Sequence, residues 1–227
     1  DGNPMFSTEY YIDGEFGTRG YAATNTERKD YNIVTIINEN SASASEVFAS
    51  AMKEHGGYTL VGETSFGKGT MQTDAAITAT IGDSLHITIG KWITADGGWV
   101  HYDGGTDGIT PDIVAEKTAA EKAYKIYLME EDPILFDTVD PRVSNIQIIL
   151  NMMEYTVRTD GYFDTLTRDA IEDIQSIAGL TVTGTIDEVT LAEINEALQE
   201  FILDNSNDTQ LQAAILYILD NPDDPNE

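Results

Sequence analysis

The sequence predicts an α/β layer followed by a small all-α three-helix domain, and three observations carry that fold class. Two short β-branched apolar runs flank one amphipathic stretch between Asn32 and Glu63. Beyond Glu130 the periodicity becomes helical, and one turn-plus-helix pattern recurs there at a spacing of 23 residues.

The elements follow in order along the 227 residues. "NIVTII" (32–37) is a buried strand by its unbroken apolar character. "NSASASEVFASAMKEHGG" (40–57) reads as a helix with Val47, Phe48, Ala51 and Met52 on one stripe and Gly56-Gly57 as its stop. "YTLVGE" (58–63) is a second buried strand, so the three segments form a βαβ unit with parallel strands. "MQTDAAITAT" and "SLHITIGKWIT" add further strands before "GITPDIV". The seam "EEDPILFDTVDPR" (130–142) combines two prolines with an acidic cluster, which suits a linker. After it, "VSNIQIILNMMEY" places Val143, Ile146, Ile149, Leu150 and Met153 on one helical face. "GYFDTLTRDAI" (161–171) then aligns with "GTIDEVTLAEI" (184–194), and Asp164 and Asp187 stand where helix N-caps belong. "LQAAILYIL" is one more helix, ahead of the acidic tail "DNPDDPNE". The expected division is 1–129, a linker at 130–141, a helical domain at 142–203, and a C-terminal helix with its tail at 204–227.

Charge excludes some functions. Twelve basic against forty acidic residues give a net charge of −28. A field of that sign repels phosphate backbones and anionic lipid, so nucleic acid is excluded as a partner. The stretch to Met129 holds 18 acidic and 9 basic residues, and the remainder 22 and 3, so the helical half carries most of the excess. With no cysteine, neither disulfides nor cysteine-ligated zinc can form. No apolar run approaches membrane-spanning length. Because Asp1 is not a start residue, the chain is expected to be a mature product or a fragment, with any export signal upstream.

Three serines crowd the start of the first helix. Ser43 followed by Glu46 is an S-x-x-E capping box, which accounts for a serine there by itself. The position also suits catalysis, because a strand-to-helix turn lies at the carboxyl edge of a parallel sheet, with backbone N–H groups beside it. Ser41 precedes the turn, and Ser45 points to another side of the helix. A nucleophilic serine needs a base. His55, His86 and His101 lie in no motif and read as structural or surface residues, and no G-x-S-x-G elbow is present. Lysine serves as a base when burial leaves it neutral. Lys68, in "SFGKGTMQ", has glycines on both sides, and Gln72 four residues later shares its face if the strand begins early enough. A surface lysine in a glycine turn is the plainer reading of that segment taken alone. "GETSFGKGT" (62–70) nearly matches a phosphate loop, but Gly69 stands where magnesium needs a hydroxyl and β-type sequence follows where a helix is required. Nucleotide binding is therefore rejected. "DGGTDG" (103–108) lacks calcium-loop spacing and reads as a turn. No metal or other cofactor is expected.

Taken together, "NENSASASE", "VGETSFGKGTMQ" and "GITPDIV" resemble, in order and spacing, the C-terminal processing peptidases, also called tail-specific proteases. The resemblance covers about residues 33–116 and implies a serine endopeptidase with a Ser-Lys dyad. It makes Ser43 the nucleophile, Lys68 the general base and Gln72 the residue that orients it. The backbone N–H of Ala44, next after the nucleophile, is the candidate oxyanion donor. Such enzymes normally carry a PDZ domain and the first half of the protease core ahead of this region, including a glycine-rich strand end. Nothing here matches that half, so the chain is a partial protease core, expected to be inactive alone. Its expected partners are protein or peptide substrates, and the missing N-terminal half or a homodimer partner. Residues 143–198, with the "DGYFD" and "VTGTID" turns, resemble the small peptidoglycan-binding domain of bacterial cell-wall enzymes, which adds peptidoglycan as a partner, with contact near Tyr162. A helical module that packs on the protease or mediates dimerisation is the plainer reading of that region. The implied location is extracytoplasmic, at the cell envelope or secreted. The other reading of the whole is a non-catalytic cell-wall-binding or assembly module derived from such a protease.

Overall fold

The computed structural model describes residues 4–12, 14–24, 31–76, 83–128 and 133–222. The chain divides into two compact units, Asp1–Glu116 with Gln210–Glu227, and Lys117–Thr209. The chain thus leaves the first unit, builds the second, and returns to the first.

The first unit holds two sheets. β1 (Pro4–Ile12), β2 (Glu15–Ala22), β5 (Thr70–Ala76) and β6 (Ser84–Thr94) form an antiparallel sheet in the order β2-β1-β6-β5. β3 (Val34–Ile37), β4 (Thr59–Gly62) and β7 (Ile113–Val114) form a parallel sheet in the order β3-β4-β7. The βαβ expectation corresponds to β3, α1 (Ala44–Ser50) and β4, with Val34 opposite Thr59 and Ile37 opposite Gly62. "NIVTII", "YTLVGE" and "SLHITIGKWIT" fall on β3, β4 and β6, and "MQTDAAITAT" on β5 as far as Ala76, its remainder lying outside the described residues. The hairpin of β1 and β2 was not specified by the reading above, although Asp13-Gly14 between two strand-like runs is a hairpin signal.

The helix after β3 differs from its expected form. It is α-helical only to Ser50 and continues as one π-helical turn, Ala51–His55. Its buried residues are Glu46, Ala49 and Ser50, at i, i+3 and i+4, and Phe48 is 57% exposed. The apolar stripe is displaced because the inward face must carry the Glu46 carboxylate, whose partners lie in the loop after β4. Ala49 joins Ile37, Leu60, Trp92, Val100 and Ile109 in the core of this unit.

The second unit is a helical bundle of α2 (Pro141–Met152), α3 (Thr165–Ile177) and α4 (Glu188–Leu203). Val143, Ile146, Ile149 and Leu150 of α2 are fully buried with Phe163, Ile171, Ile186, Ile194 and Leu198. The 23-residue repeat becomes two similar joints. Asp164 accepts from Thr167 N–H at 2.9 Å and its hydroxyl at 2.8 Å; Asp187 does so from Thr190 at 2.9 and 2.7 Å. Behind each turn sits a buried glutamine. Gln147 accepts from Gly161 N–H at 3.0 Å and donates to Thr167, while Gln175 accepts from Gly184 N–H at 3.0 Å and donates to Thr190. Both turn glycines have positive φ, 85° and 64°. Within the linker expected at 130–141, Ile134 bridges to Ile186 and Val139 to Tyr162, so its described part is held by this unit. α5 (Thr209–Asp220) returns to the first unit.

Candidate active site

β3 ends at Ile37, and Ser43 closes the turn that starts α1. Ser43 has φ 55° and ψ −111°, in the left-handed half of φ that a non-glycine residue rarely adopts. A strained serine at the carboxyl end of a parallel strand is a geometry that surroundings must enforce. Glu46 supplies that enforcement. Its side chain is fully buried and accepts the Ser43 N–H on Oε2 at 2.7 Å. Ser41 N–H donates to Asn38 O at 2.8 Å, and Phe66 N–H to Ser41 O at 3.0 Å, tying the turn to the loop after β4.

That loop carries Lys68. Its backbone polar groups from Gly67 to Gly69 all find partners. Gly67 N–H donates to Glu46 Oε1 at 2.6 Å and Lys68 N–H to Glu46 Oε2 at 2.8 Å. Tyr102 N–H donates to Gly67 O at 3.0 Å, and Trp92 Nε1 to Lys68 O at 2.9 Å. Trp99 Nε1 donates to Gly69 O at 3.0 Å. His101 Nδ1 lies 3.2 Å from Gly67 O and 3.4 Å from Gly69 N, so one nitrogen serves the loop in either tautomer. Gly69 is required by packing, since a Cβ there would stand 2.1 Å from Val100 O.

Glu46 Oε2 therefore accepts from both Ser43 N–H and Lys68 N–H, which brings the two segments to one oxygen atom across 25 residues of sequence. Its other oxygen also accepts from Ser65 Oγ at 2.6 Å, and Ser65 Oγ accepts from Ile109 N–H at 2.7 Å. Lys68 is half-buried, and its Nζ forms no hydrogen bond or ion pair among the described residues. Ala44 is the first residue of α1, and its N–H, unlike those of Ser45, Glu46 and Val47, donates to no acceptor among the described residues.

Gln72 lies elsewhere in the hydrogen-bond pattern. β5 begins at Thr70, after Lys68, so Lys68 lies outside the strand whose alternation would have set both side chains on one face. The Gln72 amide donates to Thr70 Oγ1 at 2.8 Å. His55 is exposed at the end of the π turn, and His86 meets Asp74 on an exposed strand. The residues that the sequence left unassigned are the clamp itself: Glu46 beyond its cap role, Ser65, Trp92, Trp99 and His101. Of these, only Glu46 had a signal, the S-x-x-E pattern.

Residues 5–115 match peptidase family S41, and residues 139–194 match "Putative peptidoglycan binding domain". The carboxy-terminal processing protease CtpB of Bacillus subtilis is 36% identical over 196 residues, covering 86% of this chain and 39% of that protein. CtpA of the same organism is 32% identical over 182 residues, covering 80% and 37%. A CtpA-like serine protease of Staphylococcus haemolyticus is 34% identical over 183 residues, covering 80% and 34%. The chain spans less than two-fifths of the length of each of these relatives. Ser43, Lys68 and their shared carboxylate all lie within residues 5–115, which belong to peptidase family S41, followed at 139–194 by a domain of the peptidoglycan-binding family.

Proposed function

We propose that the chain is the part of a serine endopeptidase that holds its nucleophile and base, and that the whole protein hydrolyses polypeptides through an acyl-enzyme. The observation that carries this reading is the Glu46 carboxylate, which holds the strained Ser43 turn and the fully bonded Lys68 loop to a single oxygen atom. Lys68 Nζ takes the proton of Ser43 Oγ as that oxygen attacks the peptide carbonyl. The Ala44 N–H donates to the developing oxyanion. Protonated Lys68 passes its proton to the leaving amine, and water activated by the same lysine then releases the acyl group. Gln72 contributes to orienting Lys68 if its amide leaves Thr70 when substrate is bound.

The decisive test is cleavage of an unstructured polypeptide by the whole protein that contains this chain. Wild type is expected to cleave, with Ser43→Ala and Lys68→Ala each reduced at least about a thousandfold in kcat. Equal cleavage by all three sinks the dyad. The chain by itself is expected to be inactive.

The match at residues 139–194 favours a second role, tethering to peptidoglycan at the cell envelope. Tyr162 stands at the joint before α3, with its hydroxyl on Asp137 at 2.6 Å and the Arg158 guanidinium 5.0 Å from its ring centre. Co-sedimentation of the chain with purified peptidoglycan tests this role, with Tyr162→Ala as the variant. If only this role survives testing, the non-catalytic wall-binding or assembly reading stands in place of the first.

A further inference from the structure

Gln210 lies in the first turn of α5 and is only 2% exposed. Its amide sits where the three parallel strands end. Nε2 donates to Ala115 O at 3.1 Å and lies 3.5 Å from Glu63 Oε2, while Oε1 accepts from Asn38 Nδ2 at 3.5 Å. Asn38, Glu63 and Ala115 are the residues directly after β3, β4 and β7. One side chain thus touches the carboxyl end of every strand in this sheet, the edge at which sites are built in parallel sheets. The approach is close: a Cβ on Gly62, the last residue of β4, would stand 3.2 Å from Gln210 Nε2. Further along, Thr59 Oγ1 donates to Tyr217 Oη at 2.9 Å, and Asn32 Nδ2 to Asn221 O at 2.6 Å.

From Asn38 the contacts lead to Asn40 and Ser41, in the turn that precedes Ser43. Asn38 Oδ1 accepts Asn40 N–H at 3.0 Å, and Asn38 N–H donates to Ser41 Oγ at 3.1 Å. An amide side chain has one accepting and one donating end, so Asn38 presents Oδ1 to Asn40 only while its Nδ2 is held the other way. Gln210 Oε1 faces that Nδ2 at 3.5 Å, on the side away from Asn40.

We propose that α5 is a working part of the catalytic edge and that Gln210 is a positioning residue, setting the turn that carries Ser43 from the far end of the chain. This rests on the reading of Ser43 as nucleophile. Residues beyond 209 then complete the protease core after the helical unit, rather than trailing from it.

The test uses the whole protein with Gln210→Leu, which keeps a side chain of similar size and removes every hydrogen bond of the amide. The kcat for cleavage of an unstructured polypeptide is expected to fall about tenfold with KM changed less than about twofold. The pH midpoint of kcat is expected to stay in place, because the turn moves and the base does not. Hydrogen exchange of the same variant is expected to quicken at Asn40 and Ser41 while α5 keeps its protection. Unchanged kcat overturns the proposal, as does a change confined to KM, or an exchange increase spread evenly over the first unit. If Gln210→Leu does not fold, Gln210→Met is read by the same criteria. Ser43→Ala and Lys68→Ala run alongside separate the two claims. If either cleaves normally, the dyad fails whatever Gln210 does; if both are inactive and Gln210→Leu is normal, only the present proposal fails.

Discussion

Four donors converge on the Glu46 carboxylate: Ser43 N–H, Ser65 Oγ, Gly67 N–H and Lys68 N–H, all within 2.8 Å. A carboxylate can accept at both oxygens and an amide cannot, so Glu46→Gln turns an NH2 group toward two of these donors. The expected cost is about 3 kcal/mol of stability in urea unfolding of the chain, because buried donors lose their acceptors. Cleavage by the whole protein should be lost as well. A Glu46→Gln chain as stable as wild type shows that the carboxylate clamps nothing. Ser43 predicts the opposite sign. At φ 55° the serine backbone is strained, and glycine adopts that conformation freely. Ser43→Gly is therefore expected to unfold at higher urea, by about 1 kcal/mol of added stability, while cleavage disappears. A destabilised Ser43→Gly contradicts the idea that strain is held there.

At the scale of elements, each repeat joint in the helical unit works by the same physics. An aspartate caps the coming helix, a positive-φ glycine makes the turn, and a buried glutamine bonds the turn from behind. Gln175 accepts from both Thr183 N–H at 2.9 Å and Gly184 N–H at 3.0 Å, and donates to Thr185 O at 2.8 Å. Gln175→Leu leaves these groups buried without partners, and a loss of about 2–3 kcal/mol is expected in thermal or urea unfolding. Asp187→Ala removes only a cap and should cost about 1 kcal/mol. If both variants lose the same amount, the glutamine contributes no more than the cap. The aspartates were legible in the sequence because capping is local in the chain. The glutamines were not, since Gln147 lies in the middle of α2 and Gln175 in the last turn of α3, and only packing shows which turn each one meets.

Over the whole molecule, charge governs the response to solution conditions. A net charge of −28 repels itself, so the melting temperature at neutral pH should rise by several degrees between about 0.01 and 0.3 M salt, as the screening length shortens. Acid acts through particular carboxyls in the helical unit. The Arg142 side chain holds Asp140 below its ordinary value of 3.8. Burial works to raise Glu121, but hydrogen bonds from Thr118 and Thr209 outweigh it and leave it below 4.5. Folded-state values below the unfolded ones contribute stability above the unfolded pKa, and that contribution is lost as pH falls through the folded values. The melting temperature should therefore drop below about pH 4, and less so in Asp140→Asn. At the alkaline end, burial and then the hydrogen bond to Asp173 push Tyr155 up to about 12. Its contribution is present below pH 10 and is lost as pH rises through about 12. A Tyr155→Phe melting temperature below that of wild type at neutral pH, with the alkaline decline gone, is the expected signature.

The sequence by itself determined the βαβ order, the helical second region with its repeated caps, and the serine and lysine segments worth pairing. These are properties of local periodicity, turn chemistry and motif spacing, which a chain displays before it folds. Only the tertiary structure decided which groups join them. Glu46 faces inward against the apolar stripe because its partners arrive from a loop some twenty residues away. β5 starts only at Thr70, which leaves Lys68 outside the alternation that spacing alone supports. Gln210 reaches the ends of three strands from beyond a complete second unit. Hydrogen bonds between distant segments leave no period in a sequence, so the carboxylate that gathers Ser43 and Lys68 became visible only once the chain had closed around it.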